Sequence, residues 1–127
     1  MKSLIVNADD FGLSPRRNAG ILEAHLHGIV RSASLIANGA AWKDAIRLLK
    51  DASDLDVGIH VNLSEGEPVV PGHRTLVGPD GRFHGKEETR KFAALWRLDP
   101  GEIEREDRKS TRLNSSHSAK SRMPSSA

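Results

Sequence analysis

The sequence predicts an α/β fold with parallel strands. Three short apolar, β-branched-rich runs, residues 4–7, 32–37 and 57–63, alternate with stretches of helical periodicity. That β-α-β-α-β order requires crossovers, which give a parallel sheet with right-handed connections. The first and third runs lead into polar chemistry: Asp9-Asp10 after the first, His60 near the end of the third.

Each element has its own signal. Residues 4–7 read as a buried strand because they are short and apolar. Ser14-Pro15 opens a helix, with Ser as cap and Pro at the first helical position. Ile21, Leu22 and His25 follow at helical spacing, and Gly28 is placed to end it. Residues 32–37 form the second strand, and Asn38-Gly39 a loop. Residues 41–50 form an amphipathic helix with Trp42, Ala45, Ile46 and Leu49 on one face. Residues 57–63 form the third strand. Residues 64–83 are a Gly/Pro-rich loop with a turn at Pro79-Asp80-Gly81. Residues 86–96 read as a helix, and Asp99-Pro100 opens another over residues 100–106. Trp42 and Trp96 fit helix packing, and His25 and His27 suit a helix end.

Composition excludes several classes. The 127 residues carry 19 Lys+Arg and 17 Asp+Glu, a net charge of +2. Residues 107–127 distort that balance, with seven Ser, five Lys/Arg and one acid. Removing them leaves 14 basic and 16 acidic side chains in residues 1–106. The basic excess therefore sits in the tail and is no signal for nucleic acid. With no cysteine, a disulfide framework and a thiolate zinc site are both excluded. Any metal must be held by His, Asp, Glu or water, which suits Mg, Mn or Zn. The apolar run at residues 4–6 is too short for a signal peptide, and no stretch approaches the ~20 residues of a membrane span. A cytoplasmic location is the expectation. No pattern reports oligomeric state, so a homo-oligomer of the full-length protein stays open.

Ligands of parallel α/β folds gather at the C-terminal ends of the strands. Asp9 and Asp10 follow the first strand, Asn38 the second, and His60 and Glu65 the third. These groups are expected to converge on one rim. Adjacent carboxylates repel, so a cation beside them relieves a real cost. His73 and His84 lie in or beside the long loop, where His73 is a candidate sugar contact.

Three blocks resemble a known family: Asn7-Ala8-Asp9-Asp10-Phe11-Gly12-Leu13-Ser14, Ser34-Leu35-Ile36-Ala37-Asn38-Gly39, and Gly58-Ile59-His60-Val61-Asn62-Leu63-Ser64-Glu65-Gly66-Glu67-Pro68-Val69. In order and spacing they look like the YdjC-like carbohydrate deacetylases, over essentially all of residues 3–106. The resemblance implies the N-terminal part of an irregular (β/α) barrel. It implies hydrolysis of an N-acetyl amide on a sugar, with one divalent metal ion, Mg or Zn. Asp10 resembles the metal-binding aspartate, His60 the first metal-binding histidine, and Asp9 the general base. Asn38, Glu65 and His73 are the candidate substrate contacts. The family supplies a further histidine ligand from a later His-x-His strand, and no such cluster occurs here. The chain is therefore expected to be truncated and not competent by itself. A phosphorelay receiver also places an acidic pair after its first strand, but needs a phospho-accepting Asp where this third strand carries His60. A metal-dependent phosphoesterase would need more His and Asp ligands.

Residues 107–117 and 121–127 back-translate, in one frame, to the two segments of a common short-read sequencing adapter. The segment is expected to be foreign to the protein and not to pack, so His117 is no ligand.

Overall fold

A computed structural model describes residues 2–121, with side chains as far as Ser115. The order is β1 (Asn7–Phe11), α1 (Pro15–Leu26), β2 (Ser32–Leu35), α2 (Trp42–Leu48) with a 3-10 turn at Leu49–Asp51, β3 (Asp56–Ile59), α3 (Lys86–Ala94) and α4 (Pro100–Ser121). The strands form one parallel sheet in the order β1-β2-β3. The expected class holds.

α1 starts where its cap signal lies: Ser14 Oγ accepts from the Arg17 amide at 3.3 Å, with Pro15 first in the helix. α1 and α2 cover one sheet face. Phe11, Ile21, Val30, Ala33, Leu35, Ala45 and Leu49 form the core there, with Ala8 and Val57 packed against it. Because strand side chains alternate, Asn7, Asp9 and Ser34 fall on the opposite face.

Several boundaries differ from the sequence expectation. β1 runs Asn7–Phe11, not residues 4–7. Pairing decides this, since Asn7 lies opposite Ser32 where β2 begins. Leu4 and Ile5, with no pairing partner among the described residues, are 83% and 80% exposed. The two aspartates thus lie within the strand rather than after it. β3 ends at Ile59, one residue before His60, although the His60 amide still donates to Leu35 O at 2.8 Å. α3 stops at Ala94; Trp96 has φ 53 and is 95% exposed, so it does not pack as a helix residue should.

The largest difference lies at α4. The helix continues through Ser121 across the segment expected not to pack, and Ser110 and Asn114 are buried. Extending an established helix costs far less than nucleating one, and no Gly or Pro interrupts residues 102–121. The side chain of His117 and all of residues 122–127 lie outside the described residues.

The long loop is ordered by two glutamates one helical turn apart on α4. Glu102 accepts from the Arg74, Thr75 and Leu76 amides at 2.7, 2.9 and 3.3 Å, and from Thr75 Oγ1 at 2.8 Å. Burial opposes its ionisation, but these hydrogen bonds outweigh burial and hold the Glu102 carboxyl down at about 2. Glu106 accepts from the Val69 and Val70 amides at 2.6 and 2.9 Å and from His73 Nε2 at 3.1 Å.

Candidate active site

The site begins with an irregularity in β1. Ala8 pairs with Ala33, but Phe11 rather than Asp10 pairs with Leu35. One extra residue is therefore inserted in β1, a β-bulge. In a regular strand Asp10 would share the apolar face with Ala8. The bulge gives that core position to Phe11, which is 1% exposed, and turns Asp10 aside. Asp10 takes a left-handed backbone, φ 65, which Asp tolerates better than most residues.

The loop behind Asp10 is tightly tied. Gly12 N donates to Asn18 Oδ1 at 2.7 Å, and Asn18 Nδ2 donates to Ala41 O at 3.1 Å and Asp44 Oδ2 at 2.9 Å. Asn18 is fully buried and links β1's end, α1 and α2. A side chain at Gly39 would meet Gly12 O at 2.2 Å, so the loops after β1 and β2 can close together only over glycine. Sequence reasoning missed Asn18. Its signal was a polar residue within the buried stripe of α1, three before Ile21 and seven before His25.

Asp10 and His60, 50 residues apart, meet in a pocket also lined by Leu13, Ile36, Asn62, Ser64, Glu65 and Lys86. Asp10 Oδ1 lies 3.4 Å from His60 Nδ1, and Asp10 Oδ2 pairs with the Arg17 guanidinium. Glu65 Oε1 is 3.5 Å from Lys86 Nζ. Neither Arg17 nor Lys86 was singled out from sequence.

Asp9 is not among the residues that line this pocket; it lies on the sheet face opposite the helices, exposed, with Oδ1 accepting from Asn7 Nδ2 at 2.8 Å. Asn38 is spent on holding the rim. Its Oδ1 accepts from Asn62 Nδ2 at 3.1 Å and its Nδ2 donates to Glu67 O at 3.1 Å. Asn62 in turn accepts from the Ser64 and Glu65 amides, both at 3.2 Å, which sets the turn that carries Glu65. The structure does not bring His73 to the pocket. Its side chain is 0% exposed and faces Glu106, out of reach of a sugar. The reason is tertiary, because α4 covers the loop that reads as open from sequence.

The donors at the pocket suit a divalent cation in type, one carboxylate oxygen and one imidazole nitrogen. His60 Nδ1 lies 3.4 Å from that oxygen and also accepts from the Asp10 amide at 3.4 Å. Among the described residues, no third His, Asp or Glu joins them as a metal-binding group.

Comparison with known proteins places the chain. The YdjC-like protein family matches residues 3–109. A Homo sapiens protein named carbohydrate deacetylase is 46% identical over 106 residues, covering 81% of this chain and 32% of its own length. A Listeria welshimeri protein of the same name is 44% identical over 103 residues, covering 81% and 42%. A crystal structure from Enterococcus faecalis V583, described as a candidate cellobiose-phosphate cleavage protein, superposes with a TM-score of 0.74 at 26% identity, over 92% of this chain and 43% of that one. The chain thus spans less than half the length of these relatives. Its parallel strands and intervening helices superpose on part of that larger α/β architecture, and the chain belongs to the YdjC-like family.

Proposed function

We propose that this chain is the N-terminal portion of a metal-dependent hydrolase that removes an N-acetyl group from a carbohydrate. The observation that carries the reading is the meeting of Asp10 and His60, from β1 and the end of β3, in one pocket. The relatives named carbohydrate deacetylase support the substrate class.

In this reading Asp10 Oδ1 and His60 hold one divalent ion, Mg or Zn. Such an ion, when bound, supplies Lewis acidity that eases ionisation of water and polarises an amide carbonyl. Asp9 is the general base that takes the proton from the attacking water. Arg17 holds the second Asp10 oxygen and leaves the first free to bind. Glu65 and Lys86 line the wall that a sugar would meet, and Asn38 keeps that wall in place. His73 serves the loop rather than the sugar. With two protein donors, the 127-residue chain is proposed to have no turnover of its own.

Calorimetry with zinc chloride tests the ligand set. Substituting His60→Ala in the chain is expected to weaken binding by about tenfold or more. Unchanged affinity would remove His60 from the ligands. Acetate release from an N-acetylated chitooligosaccharide by the complete enzyme tests the reaction, and its absence would refute that substrate class.

We also propose that residues 107–127 derive from ligated adapter and not from the gene. The adapter frame supports this. Sequencing genomic DNA across codon 106 without ligated adapters is expected to show the frame continuing into different residues. Codons for residues 107–127 followed by a stop would refute it. The two glutamates that anchor the loop lie before this segment.

A further inference from the structure

Asp9 does not stand alone on the open face of the sheet. Asn7, two residues earlier on β1, shares that face, and Ser34 lies beside them on β2. Asn7 Nδ2 lies 2.8 Å from Asp9 Oδ1 and 2.9 Å from Ser34 Oγ. A carboxamide nitrogen carries two hydrogens. One is given to the carboxylate and the other to the hydroxyl, so both are used. The acceptor on the neighbouring strand fixes the plane of the amide. The fixed amide in turn holds one oxygen of Asp9.

An exposed aspartate samples several χ1 rotamers, and only one of them aims a carboxylate oxygen at a given point. A general base must lie within hydrogen-bond reach of the proton it removes. From this we infer that Asn7 is a positioning residue for Asp9, locked by Ser34. The inference rests on the reading of Asp9 as the base. Asn7 touches neither substrate nor metal in this arrangement; it acts through Asp9.

The test is made on the 127-residue chain by NMR, with the Asp9 rotamer read from its Hβ scalar couplings. The unsubstituted chain is expected to show one dominant rotamer. Asn7→Asp keeps the shape but removes both N–H groups, and Asn7→Ala removes the polar group altogether. Both are expected to give rotamer-averaged couplings at Asp9 while the amide shifts of Ala33 and Leu35 stay in place. Since a change on β1 could loosen the strand itself, Ser34→Ala is the second variant. It leaves β1 intact and is expected to shift and broaden the Asn7 side-chain amide signals. Averaged couplings in the unsubstituted chain, couplings unmoved by either Asn7 change, or unmoved Asn7 signals in Ser34→Ala overturn the inference.

In the complete enzyme, Asn7→Ala is expected to lower kcat about tenfold with KM little changed, as for a misaimed catalytic group. Asp9→Asn separates the two ideas. Normal turnover in Asp9→Asn means the base assignment has failed. Lost turnover in Asp9→Asn beside normal kcat in Asn7→Ala means that only the positioning role has.

Discussion

Replacing Asp9 with asparagine in the complete enzyme is expected to lower turnover by about 10²–10⁴-fold, the range for a lost general base. The amide keeps the shape of the carboxylate and can still accept from Asn7 Nδ2, so the strand should be undisturbed. It has no basic oxygen to take a proton. Metal affinity should persist, because Asp10 and His60, not Asp9, face each other at 3.4 Å in the pocket. Acetate release and metal calorimetry, measured on the same variant, give the two readouts. Near-normal turnover would show that another group is the base. Lost metal binding would show that Asp9 belongs among the ligands.

Glu106→Ala is expected to cost about 3–5 kcal/mol, the range for breaking a buried polar pair by removing one partner. The Glu106 and His73 side chains are both 0% exposed. Removing the carboxylate leaves the half-buried Val69 and Val70 amides and the buried His73 Nε2 without their acceptor. The loss should appear as faster hydrogen exchange at residues 69–76 and a lower melting temperature. Its neighbour Glu102 adds a pH dependence of known sign. Its folded carboxyl sits at about 2 against an ordinary 4.5. A depressed acid contributes stability above its unfolded value and loses it as pH falls through the folded one. The contribution, on the order of 2–3 kcal/mol, should be full above pH ~4.5 and fade towards pH ~2. Exchange protection at Thr75 and Leu76, followed from pH 6 to 2.5, should fall in the native chain and stay flat in Glu102→Gln. A flat native profile would mean that the four hydrogen bonds to Glu102 do not hold its charge.

These glutamates show where sequence reading runs out. The buried stripe of α4 is Glu102, Glu106, Ser110 and Asn114, spaced by four and wholly polar. A search for apolar periodicity cannot find it, and its two glutamates bond backbone amides of a loop rather than a core. The same blindness hid Asn18, which is buried because it closes three backbone and side-chain bonds at once. It also misplaced His73, which looks like loop chemistry until α4 lies over it. Trp96 fails in the other direction: large and aromatic, it reads as packing, but a left-handed backbone at the end of α3 turns it outward.

Local pattern was sufficient by itself for the α/β class, the cap at Ser14, and the helix starts at Pro15 and Pro100. Those signals are local in origin: alternation, capping and residue type act within a few positions. Only the tertiary structure decided which carboxylate goes where. Strand alternation alone would send Asp10 into the core. Pairing with β2 forces the extra residue, Phe11 takes the buried place against Leu35, and Asp10 swings to His60 while Asp9 stays on the open face with Asn7. The register of one strand against its neighbour is a non-local quantity, set by which side chains can share the core.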